Sequence, residues 1–212
     1  MSRVEMKRSM VWLPLTVAVV MWFVMFSPWI SGGVNFWPLM AASGVVLGGL
    51  SLWLCGPLRE SLRRVAWSDV ALGVALGALL WGIFWVGDKV ATWMFPFAEG
   101  EIGNIYSMRD GTSYLTIGLL LTFVIGPAEE LFWRGYFQRT LSERWGANVG
   151  YVVATLTYAL VHIWSFNFML VVAALVAGAV WGLAYRLWPG RMWMLVVSHA
   201  VWDVAVFLIF PI

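Results

Sequence analysis

The chain has 212 residues, of which 62% are hydrophobic and only 11% charged, and its formal net charge is +2. A soluble domain carries roughly 25% charged residues, so this chain cannot cover a water-facing surface, and we expect the bilayer to surround most of it. The small, scattered positive charge argues against nucleic-acid binding. The single cysteine, Cys55, excludes an internal disulfide and a multi-cysteine metal site.

Apolar segments of the length that crosses a bilayer follow one another along the chain, and seven are predicted to span it. Their approximate ranges are 10–30, 35–56, 70–95, 113–133, 147–164, 168–187 and 192–211. Only Ser165-Phe166-Asn167 joins the fifth and sixth segments, which predicts a tight helical hairpin. The third segment is predicted to continue as an interfacial helix through Trp93 and Phe97.

The first segment follows Arg3, Lys7 and Arg8, as the apolar part of a signal peptide would. It is long and has no clear cleavage site of small residues, so we expect a retained anchor.

The basic residues predict how the chain is oriented. All Lys and Arg except Lys89 and Arg109 flank the spans on the side of the N-terminus. The positive-inside rule therefore places the N-terminus in the cytoplasm and the C-terminus outside. We expect an all-α, polytopic helical bundle in the cell membrane. Its single domain, 1–212, would comprise three N-terminal helices over 1–112 and a core over 113–212.

The tryptophans at predicted span ends are interpreted as interfacial anchors, because indole suits the boundary between lipid and water. These are Trp12, Trp29, Trp67, Trp145, Trp188 and Trp193.

Ionisable residues lie in or beside apolar segments of the C-terminal half, whereas the first three spans contain essentially none. They include both histidines of the protein: Glu129, Glu130, His162, His199 and Asp203. An ionisable group at membrane depth costs several kcal/mol unless it is paired or faces a wet cavity. This asymmetry predicts a functional site in the C-terminal half.

Helical spacing predicts how these residues pair. Arg134 lies four residues after Glu130 and shares its face, so an ion pair would leave Glu129 free to face elsewhere. Pro127 removes a backbone hydrogen bond just before the acids and is expected to kink the helix.

By the same spacing of four residues, Tyr158 shares a helix face with His162, and His199 shares one with Asp203. Each feature alone has a structural interpretation: an ion pair, a packed histidine or a polar contact between helices. Helix packing alone explains poorly why all of these residues occur together in the C-terminal half.

Several classes of intramembrane protease lack their motifs in this chain. There is no His-Glu-x-x-His for zinc and no Gly-x-Ser-x-Gly for a serine nucleophile. Gly87-Asp88 lacks the pattern of aspartyl proteases, and Cys55 has no activating partner.

The chemistry that remains is the activation of water by a buried carboxylate, with an imidazole sharing the proton. The second histidine, with Asp203, can hydrogen-bond the oxyanion, a contribution of roughly 3–4 kcal/mol to the barrier.

Three motifs together resemble those of the CAAX protease and bacteriocin-processing family, also called Abi, whose characterised members are glutamate-type intramembrane endopeptidases. They are Glu129-Glu130-x-x-x-Arg134, Tyr158-x-x-x-His162 and His199-x-x-x-Asp203, and the resemblance spans about 113–206. It implies a helical bundle that needs no cofactor. The implied substrate is a peptide or protein associated with the membrane.

The resemblance also implies a role for each matching residue. Glu129 would activate water with the help of His162, and His199 with Asp203 would stabilise the oxyanion. Glu130 and Arg134 would hold the site together. The family usually has Phe at the position of Tyr158 and often Asn at that of Asp203. A carboxylate at 203 donates a hydrogen bond only when protonated, and orienting the His199 ring suits it better.

Three other functions remain open. Glu129, His162, His199 and Asp203 would make an acceptable zinc shell. The same groups could form the proton relay of a transporter, although no repeat symmetry is visible. A non-catalytic immunity protein is the third.

Among substrates of the family, we favour a peptide or a C-terminal sorting signal over a prenylated C-terminus, because the chain has almost no extramembrane domain. The protease interpretation requires Glu129, His162 and His199 to share one pocket.

Overall fold

The computed structural model describes residues 11–63 and 65–212, and this part of the chain is helical without strands. Its helices are α1 (Trp12–Phe26), α2 (Phe36–Leu54), α3 (Gly56–Leu62), α4 (Trp67–Met94), α5 (Ala98–Ser107), α6 (Tyr114–Trp145), α7 (Ala147–Ser165, whose last turn is a 3₁₀ helix), α8 (Phe168–Leu187) and α9 (Met192–Ile209). Four basic residues that entered the orientation prediction, Arg3, Lys7, Arg8 and Arg64, lie outside the described residues.

Six of the described helices are long and apolar enough to cross a membrane: α2, α4, α6, α7, α8 and α9. The apolar helix α1 is shorter, at 15 residues, and corresponds to the first predicted segment. The all-α, multi-pass bundle is thus confirmed. The short helices α3 and α5 connect spans at opposite ends of the bundle.

Helix α6 is much longer than the predicted segment 113–133, because it runs without interruption from Tyr114 to Trp145. The sequence prediction ended this span just before Arg134, because a charged residue after an apolar segment normally marks the membrane surface. In the structure the Arg134 guanidinium is buried beside Glu130, so the charge is neutralised inside the protein. Arg134 therefore does not belong to the basic residues that flank the spans.

The bundle has two chemically different ends. Six of the described arginines gather at one of them, here called the arginine-rich end: Arg59, Arg63, Arg139, Arg144, Arg186 and Arg191. Side-chain hydrogen bonds join neighbouring helix ends there, from Arg186 to Asn148 and from Trp193 to the Leu62 carbonyl. The opposite end, here called the α5 end, carries α5, Lys89 and Arg109.

Helices α4 and α9 form the most extensive contact of the bundle, and two glycines make it possible. A Cβ atom on Gly73 would lie 2.7 Å from the Met194 carbonyl oxygen, and one on Gly77 would lie 3.0 Å from that of Ser198. Small residues four apart let two membrane helices approach backbone to backbone. An ion pair of 2.6 Å between Arg191 and Asp69 fixes the same two helices at the arginine-rich end.

The α7–α8 connection is the tight hairpin that the sequence predicts. Phe166 adopts a left-handed conformation with φ of 49°, which turns the chain directly after the 3₁₀ turn. The Asn167 side chain then accepts a hydrogen bond from the Leu170 amide at 2.8 Å and caps α8.

Candidate active site

Glu129 and Glu130 lie in an irregular stretch of α6. The α-helical turn Gly126–Glu130 stands between two π-helical segments, Leu121–Ile125 and Leu131–Gln138. Pro127 has no amide hydrogen, and the wider turns before it accommodate the missing hydrogen bond while the helix continues. π-Helical turns inside an α-helix occur frequently at functional sites.

Glu130 is the fully buried member of the acidic pair. Its Oε1 accepts hydrogen bonds from Arg134 Nη1 and from His199 Nδ1, each at 2.8 Å. The spacing of four residues predicted the Arg134 contact, while the contact with His199 joins α6 to α9. A buried charge without a partner is costly, so loss of any one member of this cluster would destabilise the centre of the bundle.

The His199 ring is held on two sides. It stacks on Trp181 with 3.9 Å between ring centroids, and its Nδ1 faces Glu130. A carboxylate accepts hydrogen bonds only, so Nδ1 is the nitrogen that donates to it. The distance from His199 Nε2 to Asp203 Oδ2 is 3.6 Å, which is longer than a hydrogen bond. Asp203 thus faces the ring of His199 without binding it directly.

Glu129 has different surroundings. Its Oε2 accepts a hydrogen bond of 2.9 Å from the Tyr158 hydroxyl, and its side chain lines a cavity. The Tyr158 ring lies over the Arg134 guanidinium, with 4.6 Å from Cζ to the centroid. Tyr158 therefore connects the glutamate at the cavity to the buried ion pair.

His162 makes two hydrogen bonds that define its tautomer. Nδ1 lies 2.8 Å from the Tyr158 carbonyl oxygen, which only accepts, so Nδ1 carries a proton. The indole N–H of Trp22 donates to Nε2 at 3.0 Å, so this nitrogen accepts. His162 is accordingly in its neutral form with the proton on Nδ1.

These side chains meet at one cavity of about 320 Å³. Glu129, Tyr158, His162, His199 and Asp203 all line it, from helices α6, α7 and α9. Most of the other lining residues are apolar, as is typical of sites in which a few polar groups orient a ligand. The structure thus brings the predicted residues of three helices together, and their catalytic roles stay a prediction.

Two tryptophans of the site were not predicted from the sequence. Trp22 and Trp181 are buried, at 1% and 0% exposure, and contact His162 and His199 respectively. Their positions carried a signal, because both lie inside predicted spans, away from the membrane boundary where indole normally anchors. The predicted anchors Trp29 and Trp67 are exposed, at 71% and 88%.

The zinc shell that the sequence left open is not assembled in the described part of the chain. No three His, Cys, Asp or Glu side chains there are arranged to hold a metal ion. Glu130 and His199 face each other directly, and His162 Nε2 faces the Trp22 indole.

The fold and the site together define a multi-pass membrane protein with a buried glutamate–histidine cluster at an internal cavity. Residues 111–205 match the family model described as type II CAAX prenyl endopeptidase Rce1-like. The match contains all three motifs and confirms the resemblance to CAAX proteases. It supports a membrane endopeptidase of the CAAX type. The search of curated proteins and the search of solved structures gave no match.

Proposed function

We propose that the protein is a glutamate-type intramembrane endopeptidase in which Glu129 activates the water that attacks the scissile carbonyl. The observation that carries this proposal is the placement of Glu129, which is buried at 7% exposure yet lines the cavity beside His162, His199 and Asp203. Glu130, the other acid of the pair, is already bound to Arg134 and His199. Of the two adjacent glutamates, Glu129 is therefore the one that is available to a substrate.

In the proposed reaction, Glu129 takes a proton from water as the oxygen bonds to the carbonyl carbon. The same proton then passes to the leaving amine as the peptide bond breaks. His199, protonated on both ring nitrogens, and a protonated Asp203 are proposed to donate hydrogen bonds to the oxyanion, with Glu130 and Arg134 holding the His199 ring. His162 assists Glu129. Because Trp22 occupies its Nε2, His162 accepts a proton there only after that hydrogen bond opens.

The proposed substrate is a membrane-associated peptide or the C-terminal or sorting segment of a membrane protein. Apolar side chains from several helices surround the polar end of the cavity, which suits an apolar segment next to the scissile bond. The protein is proposed to act in the cell membrane, with its N-terminus in the cytoplasm and its C-terminus outside.

The test compares the N-terminal and C-terminal peptides of membrane proteins in cells that carry the wild type or Glu129→Ala. We expect one class of membrane-bound precursors to accumulate in the variant. The matched control is Glu143→Ala, which removes a glutamate of the same helix that is half-exposed and pairs with Arg139. Unchanged peptide ends together with altered transport of a solute would favour the proton relay.

A chelator distinguishes the zinc alternative. Cleavage by the purified protein should survive a metal chelator and be lost in Glu129→Gln. Loss of cleavage on chelation, with recovery on adding zinc, would favour the metal mechanism.

A further inference from the structure

The cavity reaches only one end of the bundle. Among the described residues, the lining of α4 comes from Ile83 to Ala91, that of α8 from Met169 to Ala177 and that of α9 from His199 to Phe207. In each helix this is the stretch from about the middle to the α5 end. The cavity therefore starts at the glutamate–histidine cluster near mid-membrane and extends towards α5.

Large buried side chains close the route from the arginine-rich end. Phe132, Trp133 and Trp181 lie next to the cluster, and none exceeds 1% exposure. The Arg134 guanidinium, paired with Glu130, lies against the Trp181 ring. A substrate or a water molecule approaching from that end would have to pass through packed protein.

Helix α5 covers the cavity at the other end. Its Ile102, Ile105 and Tyr106 line the cavity, while Gly103, Asn104 and Ser107 on its other face are exposed, as in a helix lying at an interface. Its N-terminal part is tied to α8, because Glu101 accepts a hydrogen bond from the Met169 amide at 2.9 Å.

The C-terminal part of α5 is tied to α9. Tyr106 donates to the Val206 carbonyl at 3.1 Å, and Arg109, just after the helix, donates to the Phe207 carbonyl at 2.7 Å. Hydrogen bonds thus fix both ends of α5, and the helix covers the cavity at this end of the bundle.

On the membrane side of α5, the cavity reaches the protein surface between α4 and α8. Ile83 and Gly87 of α4 line the cavity and are also exposed, and Ala173 and Val176 of α8 line it while only partly buried. A Cβ atom on Gly87 would meet nothing within 4 Å. We call this opening the α4–α8 gap. Both helices cross the membrane, so the gap faces lipid along most of its length. At its end nearest α5 it is bordered by Asp88, which lines the cavity and pairs with the exposed Lys89 at 2.8 Å, so that end is open to water.

We propose that the substrate enters through the α4–α8 gap from the leaflet at the α5 end, which is the extracytoplasmic leaflet. The occupant is an apolar stretch of the substrate chain next to the scissile bond. The arginines at the opposite end identify that end as the cytoplasmic one, since basic residues flanking the spans mark the cytoplasmic side of a membrane protein. This inference rests on the proposed function for its substrate. The route and its side of the membrane can be tested without catalysis.

The test uses single cysteines in a Cys55→Ser background and a membrane-impermeant maleimide as the probe. Ala173→Cys reports on the cavity, and Gly190→Cys reports on the turn between α8 and α9 at the arginine-rich end. In right-side-out vesicles we expect Ala173→Cys to react and Gly190→Cys to remain unlabelled. In inside-out vesicles the pattern should reverse. Any other pattern, including a cavity cysteine that is unlabelled from both sides, overturns the proposal.

A second variant tests the gap itself. Gly87→Trp fills the gap and should slow the labelling of Ala173→Cys at least tenfold. Gly82→Trp on the same helix is the matched control, because Gly82 also has nothing within 4 Å of its Cβ position but does not line the cavity. Equal labelling rates in the two variants would contradict entry through the gap.

The same pair of variants connects the gap to catalysis. In the comparison of peptide ends, Gly87→Trp should accumulate the precursors that accumulate in Glu129→Ala, and Gly82→Trp should not. If the proposed peptidase function is wrong, Glu129→Ala leaves the peptide ends unchanged while the labelling pattern still stands. If only the route is wrong, Glu129→Ala accumulates precursors and the labelling pattern fails.

Discussion

Glu129 and Glu130 are adjacent in sequence, yet their carboxylates have different partners. Glu130 binds Arg134 and His199, whereas Glu129 accepts one hydrogen bond from Tyr158 and lines the cavity. Successive residues of a helix point about 100° apart, so one acid can face the packed centre while the next faces the cavity. We therefore propose a different role for each carboxylate: Glu129 activates water, and Glu130 holds the His199 ring.

Replacing Glu129 should abolish cleavage without unfolding the protein. Glu129→Gln keeps the shape of the side chain and the contact with Tyr158 but removes the base, and general-base catalysis contributes about 10²–10⁴-fold. The loss should appear in the turnover rate of the purified protein, with its thermal unfolding midpoint unchanged. Activity within a factor of ten of the wild type would contradict the role of Glu129.

Tyr158→Phe separates the hydroxyl from the ring. The variant keeps the ring that lies over Arg134 and loses the hydrogen bond to Glu129. The family usually has Phe here, so we expect the hydroxyl not to be essential. One hydrogen bond to a charged group is worth about 1.5–3 kcal/mol, so activity should fall by about 10- to 150-fold at most. A loss as large as that of Glu129→Gln would instead make the hydroxyl essential to the chemistry.

Arg134→Met should destabilise the protein strongly. Removing one partner of a buried ion pair leaves an uncompensated charge, which costs about 3–5 kcal/mol. Unfolding in detergent measures this change. The double variant Glu130→Gln with Arg134→Met removes both charges and should recover part of the loss. A double variant no more stable than Arg134→Met would show that the charge of Glu130 is not the cause.

Sequence spacing was sufficient for contacts within one helix and insufficient for contacts between helices. The Glu130–Arg134 pair and the His162–Tyr158 contact both follow from a separation of four residues. The Trp22–His162 hydrogen bond joins residues 140 positions apart, and the stacking of Trp181 on His199 joins α8 to α9. Such contacts depend on how helices pack, which the period of one helix does not encode.

At the scale of elements, hydropathy predicted the order of the helices well and the end of α6 poorly. A charged residue ends an apolar segment in sequence, but Arg134 is paired inside the bundle and the helix continues to Trp145. The predicted interfacial continuation of the third span is a separate helix, because α4 ends at Met94 and α5 begins at Ala98. The π-helical segments around the acids leave no recognisable pattern in the sequence.

The close packing of α4 on α9 should be sensitive to side-chain volume at Gly73. Gly73→Leu places atoms where the Met194 carbonyl and Val197 already lie, and overpacking typically costs about 1–3 kcal/mol. Because α9 carries His199 and Asp203, cleavage should fall as well. Gly82→Leu on the same helix meets open space and should leave stability and cleavage unchanged. Equal stability of the two variants would contradict the contact.

For the whole molecule, the separation of charge between the two ends predicts its orientation. A reporter enzyme that folds only outside the cytoplasm, fused after Ile212, should be active, and the same reporter inserted at Gly190 should be inactive. Replacing Arg59, Arg63, Arg144 and Arg186 with glutamine should weaken this preference, because the basic residues that flank the spans determine it. An active reporter at Gly190 in the unmodified chain would reverse the proposed orientation.

Because Trp22 of α1 donates a hydrogen bond to His162, the segment that carries the three motifs cannot be exchanged independently of α1. The matched segment 111–205 contains all three motifs, yet a partner of its first histidine comes from α1, and Phe26 of α1 packs on the same ring. A chimera that joined this segment to a foreign leading helix would leave the imidazole with neither neighbour. In this protein the motif-bearing segment is therefore not a self-sufficient module, because its first histidine depends on the leading helix.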